Sequence, residues 1–305
     1  MPSLFRAHLA LFTVNLMYGA NYLVAKGLMP EVISPNGFIF LRVSGSVFLF
    51  WLIYAFRFEK IDQKDWVRLI FCGLFGVAVN QLFFFNGLML TSPFNAPVIM
   101  TATPIIVLIL SLIILKEKVR FVQYLGIGLG LIGCLLFILQ NNPNSKFATS
   151  RGDLFILFNA ASYSLYLVLV KPIMAKYNPI TVITWVFTFG LVFVSIWPLS
   201  IQEAGQVEWS GVTTNELLRL MFVIIGVTFV PYLLNIYALK AVSPSISATY
   251  IYLQPILASI FVFVFSIIGL EDYTEDITLL RVSCSLLVFV GVYLVVKPSN
   301  QKIKT

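Results

Sequence analysis

The chain has 305 residues, 59% of them hydrophobic and only 11% charged, with a mean hydropathy of +0.94. A soluble domain carries about 25% charge, so this composition excludes an ordinary soluble globule. The formal charge of +7 does not point to nucleic acid, because the basic residues stand at the ends of apolar runs and form no basic domain of their own.

Taken in chain order, the apolar runs predict ten spans, at 8–28, 35–56, 66–90, 93–115, 120–139, 152–175, 180–199, 217–240, 244–268 and 278–296. Each is long enough to cross the hydrocarbon of a bilayer. In lipid the backbone must satisfy its own polar groups, and continuous runs without strict alternation read as helices rather than barrel strands. The first run follows Arg6 as a signal-peptide core would. "NLMYGANYLVAK" (15–26) interrupts it with polar residues, so it is read as a retained first helix. The longest predicted loop, Ser200 to Glu216, is acidic.

Charge sets the expected orientation. With the N-terminus in the cytoplasm, fourteen of the twenty Lys and Arg fall on the inside. Arg57, Lys60, Lys64 and Arg68 are among them, whereas only Lys26, Lys146, Arg151, Arg219 and Arg281 fall outside. The positive-inside rule therefore predicts that both termini face the cytoplasm, in a plasma (inner) membrane protein.

The two halves echo each other. Displaced by 151 residues, "SPFNAPVIMTATP" (Ser92–Pro104) falls on "SPSISATYIYLQP" (Ser243–Pro255), and each segment runs on to a glutamate, Glu117 or Glu271. Lys26 and Lys171 close the first helix of each half at a displacement of 145. Five helices per half is an odd number, so the second half must insert upside down. That is the inverted-topology repeat of many secondary transporters. The expected fold is all-α integral membrane: ten transmembrane helices as two five-helix repeats, residues 1–142 and 143–305, around a central cavity. Pro104 and Pro255 are expected to kink the fourth and ninth spans and to free carbonyls near Met100 and Ile251.

"TPIIVLILSLIILKEKVRFVQYLGIGLGLIGCLLF" (Thr103–Phe137) and its echo from Gln254 to Val296 join a proline-bearing helix, a terminal glutamate and a helix with a late glycine, Gly133 or Gly291. With "YGANYLVAK" (Tyr18–Lys26) and "FLR" (Phe40–Arg42), this pattern resembles the drug/metabolite transporter superfamily, in its EamA type, over nearly the whole chain. The second half departs by carrying Cys284 and Val288 where the first has glycines. The resemblance implies a carrier, usually an exporter of small metabolites, with its cavity between the halves.

The intramembrane polar residues are mostly amides and phenols. Tyr18 and Asn21 lie on the first helix, Asn80, Gln81 and Asn86 on the third, and Thr101 and Thr103 beside the first proline. Tyr163 and Tyr166 lie on the sixth helix, Tyr232 and Asn235 on the eighth, and Tyr250 and Gln254 before the second proline. The resemblance places those helices around the cavity. Each residue alone is read either as an interhelical hydrogen bond or as a cavity group. As a set they mark a path suited to hydrogen-bonding and stacking a neutral or zwitterionic small-molecule substrate such as an amino acid, an amide or a nucleobase-like compound.

Lys26 and Lys171 read as snorkelling helix ends or as attractors of a substrate anion. Arg42 needs a partner, for which Glu31 or a helix C-terminus is expected. Gly126 and Gly130 form a GxxxG pair, read as packing within the monomer ahead of packing in a homodimer. Cys72, Cys134 and Cys284 lack a CxxC partner, and His8 is the sole histidine. No metal, cofactor or enzymatic site is therefore expected. A passive channel or a lipid-translocating protein on the same scaffold is the alternative to a carrier.

Overall fold

A computed structural model describes residues 4–115, 121–139, 149–239, 241, 250–269 and 278–296. They form ten long helical segments and, among the described residues, no strand. The segments are α1 (Leu4–Lys26), α2 (Pro35–Tyr54), α3 (Gln63–Leu90), α4 (Asn95–Ile114) and α5 (Phe121–Leu139). They continue with α6 (Ser150–Met174), α7 (Pro179–Ile196), α8 (Thr214–Asn235, its helix running on to Leu239), α9 (Tyr250–Ile267) and α10 (Leu279–Val296). Boundaries agree with the apolar runs within four residues, apart from 244–249, which lie outside the described residues together with Glu117 and Glu271. By length and composition α2 to α9 can each cross a membrane. In α10 the apolar stretch Leu279–Gly291 is shorter, and α1 is diluted by Asn15 and Asn21. Phe48, Phe71, Ile113, Leu135, Phe158 and Leu286 are exposed on the outside of the bundle, a surface that only lipid suits.

The helices pack as an exchanged set. α2 packs against α7 and α5 against α10, each helix against its counterpart in the other half. The remaining large contacts come in twins: α1 with α8 and α9, α6 with α3 and α4, and α3 on α7 matched by α8 on α2. A pseudo-two-fold that swaps the first five helices for the last five generates this pattern.

Each half also caps the other. The acidic loop after α7 holds a short helix, Pro198–Gly205, that lies against α2. Its Glu203 carboxylate accepts from the backbone N–H of Asn36 (2.9 Å) and Gly37 (3.2 Å) and from Asn36 Nδ2 (2.8 Å). A carboxylate there satisfies orphan donors at the positive end of α2, where Ser34 supplies no side-chain bond. At the opposite end of the bundle, Glu59 in the loop after α2 accepts from the backbone N–H of Asn178, the N-cap of α7, at 2.9 Å. Beside it Lys176 pairs with Asp65 at 3.0 Å, and that hydrogen bond holds the Lys176 ammonium above its ordinary pKa.

The prolines act differently from the sequence expectation. α4 is broken at Thr101–Ala102, and its helix restarts at Thr103 with Pro104 in the first turn. Pro255 likewise sits in the first turn of the helix that starts at Leu253. A first-turn proline gives up an N–H that would have had no helical partner anyway. The carbonyl of Met100, expected to be free, accepts from Thr103 Oγ1 at 2.7 Å.

The GxxxG pair packs within the chain. Gly126 and Gly130 of α5 receive Gly291 of α10 so closely that a Cβ on Gly291 would lie 2.7 Å from the Gly126 carbonyl oxygen.

Candidate functional site

Five helices converge on a cluster of phenols around one cation. Tyr18 comes from α1, Arg42 from α2, Gln81 from α3, Tyr163 and Tyr166 from α6, and Thr228 and Tyr232 from α8. Tyr18 and Tyr163 correspond under the 145-residue displacement. Tyr163 lies within electrostatic reach of Tyr18, as Tyr18 and Tyr232 each lie within reach of Arg42. The rings of Tyr163 and Tyr166 stand 5.8 Å apart, as the three-residue spacing on one helix face dictates.

Arg42 is 5% exposed. Its Nε donates to Thr228 Oγ1 at 2.6 Å, and Nη1 donates to Gln81 Oε1. The guanidinium lies over the ring of Phe85, 4.9 Å from its centroid, a cation–π contact. The partners are thus an amide, a hydroxyl and a ring, where the sequence suggested Glu31 or a helix C-terminus. Local backbone explains one of them. Residues Phe222–Phe229 of α8 form a π-helical stretch, and Thr228 Oγ1 donates to Val223 O at 3.0 Å while accepting from Arg42. Such widened turns concentrate at functional sites. The matching region of α3, Leu74–Ala78, is also π-helical. From Gln81 the network runs on: Gln81 Nε2 donates to Asn80 Oδ1 at 3.0 Å, and Asn159 Nδ2 donates to Asn80 O at 2.8 Å.

The four phenols are the chemically open part of the site. Tyr18, Tyr163 and Tyr232 are half-buried, although each sits deep among the helices. Among the described residues none of the four hydroxyls, Tyr166 included, has a hydrogen-bond partner, nor is any sealed from solvent-sized space. Buried protein phenols ordinarily find a partner. Phe187 packs edge-on against Tyr232 (4.9 Å between centroids), and Phe50 flanks both. The cluster can stack an apolar body, offer hydroxyl donors and supply one positive charge.

The other sequence candidates lie elsewhere. Tyr250 OH contacts His8 Nδ1 at 2.6 Å. Gln254 donates to Asn15 Oδ1 and accepts from Tyr22 OH, both at 3.0 Å, stitching α9 to α1. Asn86 Nδ2 donates to Asn36 Oδ1 at 3.1 Å, near the capped start of α2. The Thr101 hydroxyl donates to Val98 O at the break in α4. Asn21 is buried, with no partner for its Oδ1. Asn235 is half-buried, three residues beyond Tyr232.

Lys26 does not snorkel. It is 7% exposed, and its Nζ donates to Leu88 O at 3.0 Å and to Thr91 O, capping the C-terminal end of α3. Sequence reasoning passed over Thr228, Asn159 and Phe187. Phe187 carries a signal, because it is the residue that Arg42 meets at the 145-residue displacement.

The fold is that of a multi-pass membrane protein built as a pair of repeats. The model of the EamA-like transporter family matches residues 5–139 and 150–297, and the chain belongs to that family. It is 26% identical, over 87% of its length and 90% of the relative's, to an uncharacterized transporter of Archaeoglobus fulgidus. It is 27% identical, over 86% and 89%, to the uncharacterized transporter YyaM of Bacillus subtilis. A solved crystal structure shares the fold with a TM-score of 0.59 at 19% identity, covering 94% of this chain and 95% of the other.

Proposed function

We propose that the protein is a secondary transporter that exports small polar metabolites, amino acids among the expected class, by alternating access. Four phenols with no hydrogen-bond partner among the described residues, at the junction of the two halves, support this reading. They offer donors to a solute at the one depth where rocking of one repeat against the other would expose it to each side in turn. In this account residues 1–142 and 143–305 are the rocking halves. The chain works in the plasma membrane with both termini cytoplasmic, as a monomer or a homodimer.

Counterflow in proteoliposomes tests the proposal. A carrier gives saturable uptake that is accelerated by unlabelled solute on the far side; a channel gives flux that does neither. Tyr18→Phe with Tyr232→Phe is expected to raise the half-saturating concentration about five- to thirtyfold, the worth of a lost hydrogen bond or two at about 1 kcal/mol each. Abundance in the membrane should be unchanged. Unsaturable flux, or normal transport by the double variant, contradicts the reading.

A further inference from the structure

The two repeats differ most tellingly at one matched pair. Displaced by 145 residues, Tyr18 falls on Tyr163 and Gly45 on Gly190, but Arg42 falls on Phe187. Displaced by 151, Gln81 falls on Tyr232. The contacts repeat as well: Arg42 reaches Gln81, and at the matching place Phe187 sits edge-on to Tyr232. One arm of the site therefore ends in a cation and the other in an aromatic face.

Among the described residues, that cation has no carboxylate to neutralise it. A guanidinium has five N–H donors, and the acceptors of Arg42 are the neutral Thr228 and Gln81. Among the described residues no carboxylate lies within 4.0 Å of it. α1 and α2 contain no Asp or Glu, and Asp65, Asp153 and Glu216 sit in the first turns of α3, α6 and α8, at the bundle ends. An uncompensated charge at this depth is costly, and an anionic group on the solute would offset it. By the same inventory, the middle of the bundle has, among the described residues, no acid to receive a solute ammonium.

We propose that Arg42 docks the carboxylate of an amphipathic organic acid, whose apolar body lies along Phe187 and Tyr232, and that an amino group adds nothing to recognition. This rests on the transporter reading of the same site and narrows its substrate class.

The test is thermal stabilisation of detergent-purified protein by matched probes: phenylacetate, phenylacetamide, phenethylamine, phenylalanine, hexanoate and hexanamide. A ligand of the native state raises the melting temperature by mass action. At least one acid is expected to stabilise the wild type, with its amide about ten- to a hundredfold weaker, as loss of a charge-assisted pair implies. Phenylalanine should bind no better than phenylacetate. Arg42→Gln should erase the preference of acid over amide, and Arg42→Lys should keep part of it. Should Arg42→Gln fail to fold, the acid-to-amide ratio of the wild type decides alone. Equal binding of amides or amines, or no stabilisation by any acid, overturns the proposal. Saturable counterflow of a neutral solute would then still support the carrier. Conversely, acid binding without counterflow would keep the Arg42 site and remove the carrier.

Discussion

Asp153→Ala will destabilise the protein by about 1–3 kcal/mol, the cost of leaving the buried Thr91 and Asn95 donors without their acceptor. Asp153 is 2% exposed in the first turn of α6. Its carboxylate accepts from Thr91 Oγ1 and, at 3.3 Å to each oxygen, from Asn95 Nδ2. Behind those two residues stand two buried cations. Lys26 donates to Thr91 O, and Arg281, 2% exposed, donates to Asn95 Oδ1 at 3.2 Å. The network joins α1, α4, α6 and α10, so its loss loosens both halves at one end of the bundle. Denaturant unfolding in mild detergent measures the effect. Glu208→Ala, at an exposed loop position, is the control and should change stability by less than about 0.5 kcal/mol. An Asp153→Ala protein as stable as that control would mean that the carboxylate is dispensable.

Gly291→Val will separate α5 from α10. A Cβ at Gly291 meets Gly130 N at 2.5 Å and Gly126 O at 2.7 Å, backbone atoms that cannot rotate away. The helices must move apart, at a cost of about 1–3 kcal/mol or more. Gly128→Val lies on the same helix pair, where an added Cβ meets nothing within 4 Å, and should leave stability nearly unchanged. Equal melting temperatures for the two variants would contradict the close approach. A shift from monomer to dimer confined to Gly291→Val would show that this seam had been closing within one chain.

Much of this was legible because lipid constrains a chain so tightly. Apolar runs must be helices, and the helices lie where the runs lie. The half-length echo was visible in Ser92-Pro93 and Ser243-Pro244, and in Lys26 and Lys171. Other features depend on partners remote in sequence. Glu203 looks like one more loop acid until the short helix turns it onto α2, 167 residues away. Lys26 looks like a snorkelling end until the carbonyls of α3 arrive to accept from it. Pro104 looks like a mid-span kink because sequence alone does not show that the helix has already stopped at Thr101. Among the polar candidates, Tyr18, Tyr163, Tyr166 and Tyr232 gather at the centre, whereas Gln254 and Asn86 find partners elsewhere. Tyr18 and Asn21 have the same three-residue spacing as Tyr163 and Tyr166, so spacing alone does not separate the two groups; the packing does. Arg42 was conspicuous in the sequence, but its setting among neutral groups could be learned only from the structure.

On the transport reading, the phenol cluster lines a solute path reached from both sides of the membrane. Side-specific labelling tests it most directly. Tyr163→Cys is placed in a background where Cys72, Cys134 and Cys284 are replaced by serine, and a membrane-impermeant thiol reagent is applied to sealed vesicles from one side and then the other. Reaction is expected from each side and, once a transported solute is known, slowing from both by that solute. A cysteine at 163 that stays unreactive from either side, in a protein that still folds, would contradict it.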